Sequence, residues 1–126
     1  MGLKDRNAAT MIPARHIDET RRFYEDVLGF SVVREHPSGI MYGSGNGSFG
    51  LYPTQSGGLA QHTLMAWIVD DIETTVDELM ARGVIFEKYN TPDLKTDAKG
   101  IAGIQGDRAA WFKDPEGNTL SLWQER

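Results

Sequence analysis

The clearest hydrophobic pattern lies near the end of the chain, where large apolar residues alternate with small or polar ones on both sides of a turn. The turn is Asp114-Pro115-Glu116-Gly117-Asn118, in which proline presets one backbone angle and glycine or asparagine tolerates a positive φ. Alternation with period two predicts an antiparallel hairpin. One face would carry Trp111, Ser121 and Trp123, and the other Phe112, Leu120 and Leu122. Because both faces are largely apolar, we expect one to meet a core and the other to meet a partner chain or a ligand.

The first half of the chain reads as strand, helix and three strands. The helix opens near His16 with acidic residues in its first turn, and Gly29 is placed to end it. Its apolar residues recur four positions apart, as a helix with one buried side requires. The predicted strands span residues 8–14, 30–36, 40–43 and 48–53.

The same order of elements begins again after residue 61. Asp71 is a candidate N-cap for a second helix, and Gly83 stops that helix as Gly29 stops the first. The predicted strands of this half span residues 62–69 and 84–90, with two more between 108 and 124. Such an internal repeat indicates two copies of one structural unit.

The length of 126 residues indicates one domain, 1–126, made of module one at about 7–56 and module two at about 61–126. The linker between them is predicted at Gln55-Ser56-Gly57-Gly58. Residues 91–106 form a long polar stretch, which is predicted to be a solvated loop or a lid.

Composition limits the possible partners. The chain has no cysteine, which excludes disulfides and thiolate chemistry and fits a cytoplasmic location. The net charge of −5, without a basic stripe, argues against nucleic acid and favours a cationic ligand. No apolar run reaches the length of a membrane span, so no membrane partner is expected.

Two motifs carry a resemblance to a known family. They are Phe23-Tyr24-Glu25-Asp26-Val27-Leu28-Gly29-Phe30 and Asp114-Pro115-Glu116-Gly117-Asn118, set in a tandem repeat. Together they resemble the vicinal oxygen chelate superfamily of glyoxalase I, bleomycin-resistance proteins and extradiol dioxygenases. The resemblance implies an α+β fold of two tandem βαβββ modules, with cupped mixed β-sheets and helices on the outer face. It also implies a homodimer, since the sheets of two chains commonly face each other in members of this length.

The resemblance places the metal ligands of the chelating members at positions that lack donors here. Those positions are Ala9, Leu64 and Ser121, and an alternative ligand position falls at Gly50 or Tyr52. A divalent metal needs imidazole or carboxylate ligands, which these residues do not supply. We therefore expect no metal and no other cofactor.

The remaining candidates indicate an apolar binding surface. The predicted function is metal-independent binding of a small aromatic or amphipathic molecule, similar to the antibiotic-sequestering members of the family. The alternative is a glyoxalase-type lyase, isomerase or dioxygenase in which His62 serves as a base or ligand. Trp67 alternates with Leu64 and Ala66 of the same strand, so it faces the other side of the sheet and is assigned to the core beneath the second helix. The predicted ligand-binding residues are Met11, Tyr52, His62, Leu64, Trp111, Ser121 and Trp123.

Overall fold

The computed structural model describes residues 2–126, which form two mixed four-stranded sheets. Module one has strand order β1-β4-β3-β2, and module two has strand order β5-β8-β7-β6. In each sheet the first strand runs parallel to the last, and the remaining neighbours are antiparallel. This confirms the fold of two tandem βαβββ modules. The elements are β1 (Thr10–Ala14), α1 (Ile17–Arg22), β2 (Val32–His36), β3 (Gly39–Ser44), β4 (Gly47–Pro53), β5 (Thr63–Ile68), α2 (Ile72–Ala81), β6 (Ala102–Ile104), β7 (Asp107–Lys113) and β8 (Thr119–Gln124).

Both helices end where the sequence predicts. Helix α1 continues into a π-helical segment, Phe23–Val27, and Gly29 then adopts a φ of 86°. Asp71 caps α2 by accepting the N–H of Thr74 at 3.2 Å, and Gly83 follows this helix with a φ of 95°. Positive φ is costly for residues with a side chain, so glycine is the residue that stops each helix. No helix among residues 2–126 is long and apolar enough to cross a membrane.

One predicted strand is wrong. Residues 84–90 are irregular and make only isolated bridges, from Phe86 to Phe112 and from Asn90 to Lys95. The N–H of Glu87 also donates to the carbonyl of Trp111 at 2.8 Å. The second strand of this module along the chain is instead β6, at the edge of the sheet, and it lies inside the stretch 91–106 that was expected to be a loop or a lid. Period-two alternation in 84–90 thus reflects a buried side, Val84 and Phe86, without a continuous ladder.

The two modules share one hydrophobic core. Helix α1 packs on β4, and α2 packs on β7 and β8. Aromatic rings of the two modules contact each other: the ring centroids of Phe49 and Trp67 are 5.9 Å apart, and those of Phe23 and Phe112 are 6.3 Å apart. Trp67 therefore belongs to the core side of its sheet, as predicted.

Each sheet also has a face turned away from this core, which we call its open face. Alternate side chains of a strand point to opposite faces, so strand pairing identifies the members. On the first sheet Met11, Gly50, Met41 and Arg34 are paired across the strands, and on the second Ala66, Ser121 and Trp111 are paired in the same way. These faces carry exposed apolar side chains, including Met11 and Ile68 at 45% and 65% exposure.

The turn between β7 and β8 is buried and polar. Asp114 Oδ1 accepts the N–H groups of Glu116 and Asn118 at 2.9 and 3.0 Å. Its Oδ2 accepts the hydroxyl of Tyr24 at 2.8 Å and the side-chain amide of Asn118 at 2.9 Å. Burial raises the pKa of the Asp114 carboxyl, although these hydrogen bonds oppose the rise. The turn is thereby tied to the first module through Tyr24.

Glu116 of the same turn holds the entrance of α1. Its carboxylate accepts the N–H groups of Arg15 and His16 at 2.9 and 2.6 Å, and the hydroxyl of Thr20 at 3.2 Å. Burial alone would raise the pKa of this carboxyl, but these donors hold it below its ordinary value. Residues almost one hundred positions apart in sequence are therefore joined by one side chain.

The predicted linker lies against this turn. A Cβ added to Gly57 would collide with Glu116 Oε1, and one added to Gly58 would collide with the Glu116 carbonyl. Gly58 also has a φ of 75° and donates its N–H to Asn118 Oδ1 at 3.1 Å. Glycine is required here for close approach, not only for flexibility.

Candidate functional site

The register of the terminal hairpin places its two tryptophans on the open face. Trp111 lies opposite Ser121, and Trp123 lies opposite Ala109. The indole N–H of Trp123 donates to Asp107 Oδ2 at 2.8 Å, and this hydrogen bond holds the pKa of the Asp107 carboxyl below its ordinary value. This register puts Trp111, Ser121 and Trp123 on the same face of the hairpin, as the alternation in the sequence predicts.

A groove of about 330 Å³ forms around Trp111, and we call it the tryptophan groove. The ring of Trp111 packs edge-to-face against Tyr89, with ring centroids 5.7 Å apart. Burial, and then the charge of Glu87, raises the pKa of the Tyr89 hydroxyl, so the phenol stays protonated near neutral pH. The groove is lined by Gly58, Ala60, Gln61, His62, Thr63, Tyr89, Leu94, Trp111, Lys113, Gly117 and Thr119.

Tyr89 and Leu94, two of these lining residues, are absent from the predicted ligand-binding residues. Tyr89 falls in the predicted strand 84–90, and Leu94 falls in the stretch 91–106, which is predicted to be a solvated loop or a lid. The only feature of the sequence that distinguishes Tyr89 and Leu94 is that they are large apolar residues within a polar stretch of the chain. Strand pairing in the hairpin had to be known before either residue could be placed beside Trp111.

A second groove, of about 520 Å³, lies on the open face of the first sheet, and we call it the methionine groove. Gly50 leaves room for the methionines: a Cβ at this position would lie 2.6 Å from Met41 Sδ and 3.0 Å from Met11 Cε. Met11 is one of the predicted ligand-binding residues, whereas Arg34, His36 and Met41 are not among them. The groove is lined by Ala9, Met11, Arg34, His36, Ser38, Gly39 and Met41.

The predicted ligand-binding residues are divided between these grooves. Met11 lines the methionine groove, while His62 and Trp111 line the tryptophan groove. Tyr52 is half-buried on the open face of the first sheet, where it pairs with Pro13. None of the remaining candidates, Tyr52, Leu64, Ser121 and Trp123, lines either groove.

The side chains of Leu64 and Ser121 make their contacts within the protein. The pairing of β5 with β8 shifts register between Thr63 and Met65, and Leu64 packs against the core cluster. Ser121 is 1% exposed, and its hydroxyl donates to the carbonyl of Leu122 at 3.1 Å. Neither side chain is therefore free to contact a ligand in this structure.

The family's metal positions do not fit a metal in this chain. Ala9 lies in the methionine groove, Leu64 packs on the core and Ser121 is buried in the second sheet. None of the three has an imidazole or carboxylate. Elsewhere in the described part of the chain, residues 2–126, no three His, Asp or Glu side chains come close enough to hold a metal ion.

A further cleft of about 330 Å³ lies on the helix side, between α2 and β5. Trp67 forms part of its wall and stacks on Phe30 at 5.5 Å and on Phe112 at 6.2 Å. Because the Trp67 indole already stacks on both Phe30 and Phe112, it has less free aromatic surface for a ligand than the ring of Trp111 has. We interpret this cleft as the edge of the shared core.

Comparisons with known proteins agree with the fold. A sequence model of the Glyoxalase/Bleomycin resistance protein/Dioxygenase superfamily matches residues 7–122. No curated protein matches the sequence.

Solved structures with the same fold cover nearly the whole chain. A glyoxalase/bleomycin resistance protein/dioxygenase from Alicyclobacillus acidocaldarius is 20% identical, with a TM-score of 0.72 over 99% of this chain and 95% of that one. TnmS3, an antibiotic binding protein from Streptomyces sp. CB03234, is 19% identical, with a TM-score of 0.66 over 96% and 98%. A lactoylglutathione lyase from Agrobacterium tumefaciens is 20% identical, with a TM-score of 0.65 over 94% and 92%.

Proposed function

The chain belongs to the Glyoxalase/Bleomycin resistance protein/Dioxygenase superfamily, and we propose that it binds a small aromatic or amphipathic molecule without a metal. The open faces of the sheets are the proposed site. Family membership alone does not decide between binding and catalysis, because one fold supports many functions. The choice depends on the side chains of the two grooves.

The tryptophan groove is the observation that carries the proposal. Trp111 offers a large aromatic surface and is already held by its edge-to-face contact with Tyr89. Thr119, Lys113 and His62 supply polar groups around it. An apolar aromatic surface with a few polar groups is typical of pockets for organic ligands.

One protein of similar structure also supports the proposed binding of an organic molecule. TnmS3 is described as an antibiotic binding protein, and it shares the fold over nearly its whole length. We extend to this chain only the general property of binding an organic molecule. The methionine groove adds a second apolar surface, which contains Met11 and Met41. Thioether side chains adapt to ligands of irregular shape.

We further propose that the binding form is a homodimer acting in the cytoplasm. Met11 and Ile68, on the open faces, are 45% and 65% exposed, and β1 and β5 each have an unpaired edge. Contiguous exposed apolar surface marks places where another molecule packs. In such a dimer the methionine groove of one chain would face the tryptophan groove of its partner, with Tyr52 and Trp123 beside them.

The alternative function, a lyase, isomerase or dioxygenase using His62, lacks a supporting contact. His62 is exposed, and within residues 2–126 no hydrogen bond orients its ring. A general base must be held within reach of the proton that it removes. Elemental analysis of the purified protein decides between the two functions: stoichiometric zinc, nickel, iron or manganese would favour the enzyme.

The binding proposal is tested with 2-naphthalenemethanol, a neutral aromatic probe, followed by isothermal titration calorimetry. We expect Trp111→Leu to weaken binding by about fivefold, because stacking on one aromatic ring contributes about 1 kcal/mol beyond area burial. The matched control is Trp123→Phe, which changes an aromatic ring on the same face outside the groove. Equal binding by the wild type and Trp111→Leu would contradict the proposal.

A further inference from the structure

The charged side chains that line the two grooves are all basic. The methionine groove contains Arg34 and His36, and the tryptophan groove contains His62 and Lys113. The chain as a whole carries a net charge of −5. Salt screens exposed charges beyond about 10 Å, so a bound molecule responds mainly to the charges around it. Arg34 therefore gives the methionine groove a local charge opposite in sign to that of the whole chain, whereas Lys113 of the tryptophan groove lies 3.9 Å from the Glu87 carboxylate.

Arg34 is the basic group with the most freedom to contact a ligand. It is exposed on β2 and pairs across the sheet with Met41. The ion pairs found among residues 2–126 do not include it. The adjacent carboxylate, Glu35, is bound to Arg21 at 2.7 Å. Because neighbouring side chains of a strand point to opposite faces, this carboxylate lies away from the groove and leaves the Arg34 guanidinium available.

His36 adds a further donor to the same groove, and Ser38 orients its ring. The N–H of Ser38 donates to His36 Nδ1 at 3.1 Å, so in the neutral ring the proton resides on Nε2. The Ser38 hydroxyl lies 2.7 Å from the same Nδ1. The hairpin turn thus fixes the tautomer of His36 and leaves the ring with a donor nitrogen. A planar guanidinium beside an N–H donor suits a carboxylate or sulfonate.

The apolar part of the groove lies next to these donors. Met11 and Met41 extend across Gly50, where no Cβ intervenes. We propose that the methionine groove recognises an organic anion, with the carboxylate or sulfonate on Arg34 and His36 and the apolar body on the two thioethers. This assignment of ligand charge rests on the proposed function, namely that the open faces bind an aromatic molecule.

The test uses three naphthalene probes of one shape and different charge. They are 2-naphthoate, 2-naphthalenemethanol and 2-naphthylmethylammonium, each titrated into the intact protein in low salt. We expect naphthoate to bind about tenfold tighter than the ammonium, which corresponds to about 1.4 kcal/mol. Arg34→Gln should weaken naphthoate binding by about tenfold and leave the alcohol unchanged. Arg22→Gln is the matched control, because it removes the same charge from an exposed position on α1.

The possible failures are distinguishable. If the alcohol binds but naphthoate and the ammonium bind equally, the charge preference is overturned and the proposed function stands. The same conclusion follows if Arg34→Gln and Arg22→Gln have equal effects on naphthoate. If none of the three probes binds, both the inference and the proposed function are overturned.

Discussion

Replacing Glu116 by glutamine tests whether the buried turn holds the two modules together. The Glu116 side chain is 1% exposed and accepts hydrogen bonds from two backbone N–H groups and one hydroxyl. Glutamine has the same shape but only one acceptor oxygen, and its NH₂ group would face a donor. Glu116→Gln therefore removes acceptors without creating a cavity.

The magnitude follows from the contacts. The N–H groups of Arg15 and His16 lie 2.9 and 2.6 Å from the Glu116 carboxylate. A hydrogen bond to a charged group contributes about 1.5–3 kcal/mol, and a buried donor left unpaired costs a similar amount. With one of the two backbone bonds lost and the other weakened, we expect unfolding free energy to fall by about 3 kcal/mol. For a domain of this size the melting temperature should fall by roughly 10 °C.

The assay is urea and thermal unfolding at pH 7, followed by circular dichroism. Glu125→Gln is the control, because Glu125 is exposed and the substitution makes the same change in charge. A loss of stability within about 0.5 kcal/mol of that control would refute the reasoning, since surface substitutions commonly stay within that range.

The effect of pH has a defined sign. The pKa of Glu116 is below its ordinary value in the folded protein, so its ionised form stabilises the fold. This stabilisation is fully present above the ordinary glutamate pKa of about 4.3 and is lost as pH falls through the folded value. The stability difference between the wild type and Glu116→Gln should therefore narrow as pH is lowered below about 4.3. A difference that widens on acidification would contradict this assignment.

Two further substitutions test the same turn. Gly58→Ala should lower unfolding free energy by more than about 3 kcal/mol, because its Cβ meets the Glu116 carbonyl at a positive φ; Gly45→Ala, where the added Cβ has open space, should cost only about 1–2 kcal/mol. Equal losses in urea unfolding would show that φ alone explains both glycines. Tyr24→Phe should cost about 2 kcal/mol, because a donor to the buried Asp114 carboxylate is lost. A neutral or stabilised Tyr24→Phe variant in the same assay would show that this hydrogen bond contributes nothing.

Much of the fold could be predicted from local patterns. Gly29 and Gly83 mark the helix ends because positive φ is a property of the individual residue, and Asp71 is an N-cap because its partner lies three residues away. Residues 84–90 were wrongly predicted as a strand, since their alternation came from contact with the core and not from a ladder.

The candidate site was less accessible to prediction. Alternation assigned Trp111 and Trp123 to one face, but it did not show that Trp123 would be held by Asp107 while Trp111 lined a groove. Arg34 and His36 were missed because an isolated basic residue on a strand has no sequence signature. They become a candidate site only when pairing of β2 with β3 brings them beside Met41.

Local patterns along the chain predict the repeated order of strands and helices, the ends of the helices and the two faces of the terminal hairpin. These depend on backbone conformation and on a repeat of two residues, which are set within a few positions. The position of β6, the close approach of Gly58 to Glu116 and the division of the open faces into two grooves emerge only in the folded chain. These features require contacts between segments far apart in sequence, and no local pattern encodes the register and depth of burial of such contacts.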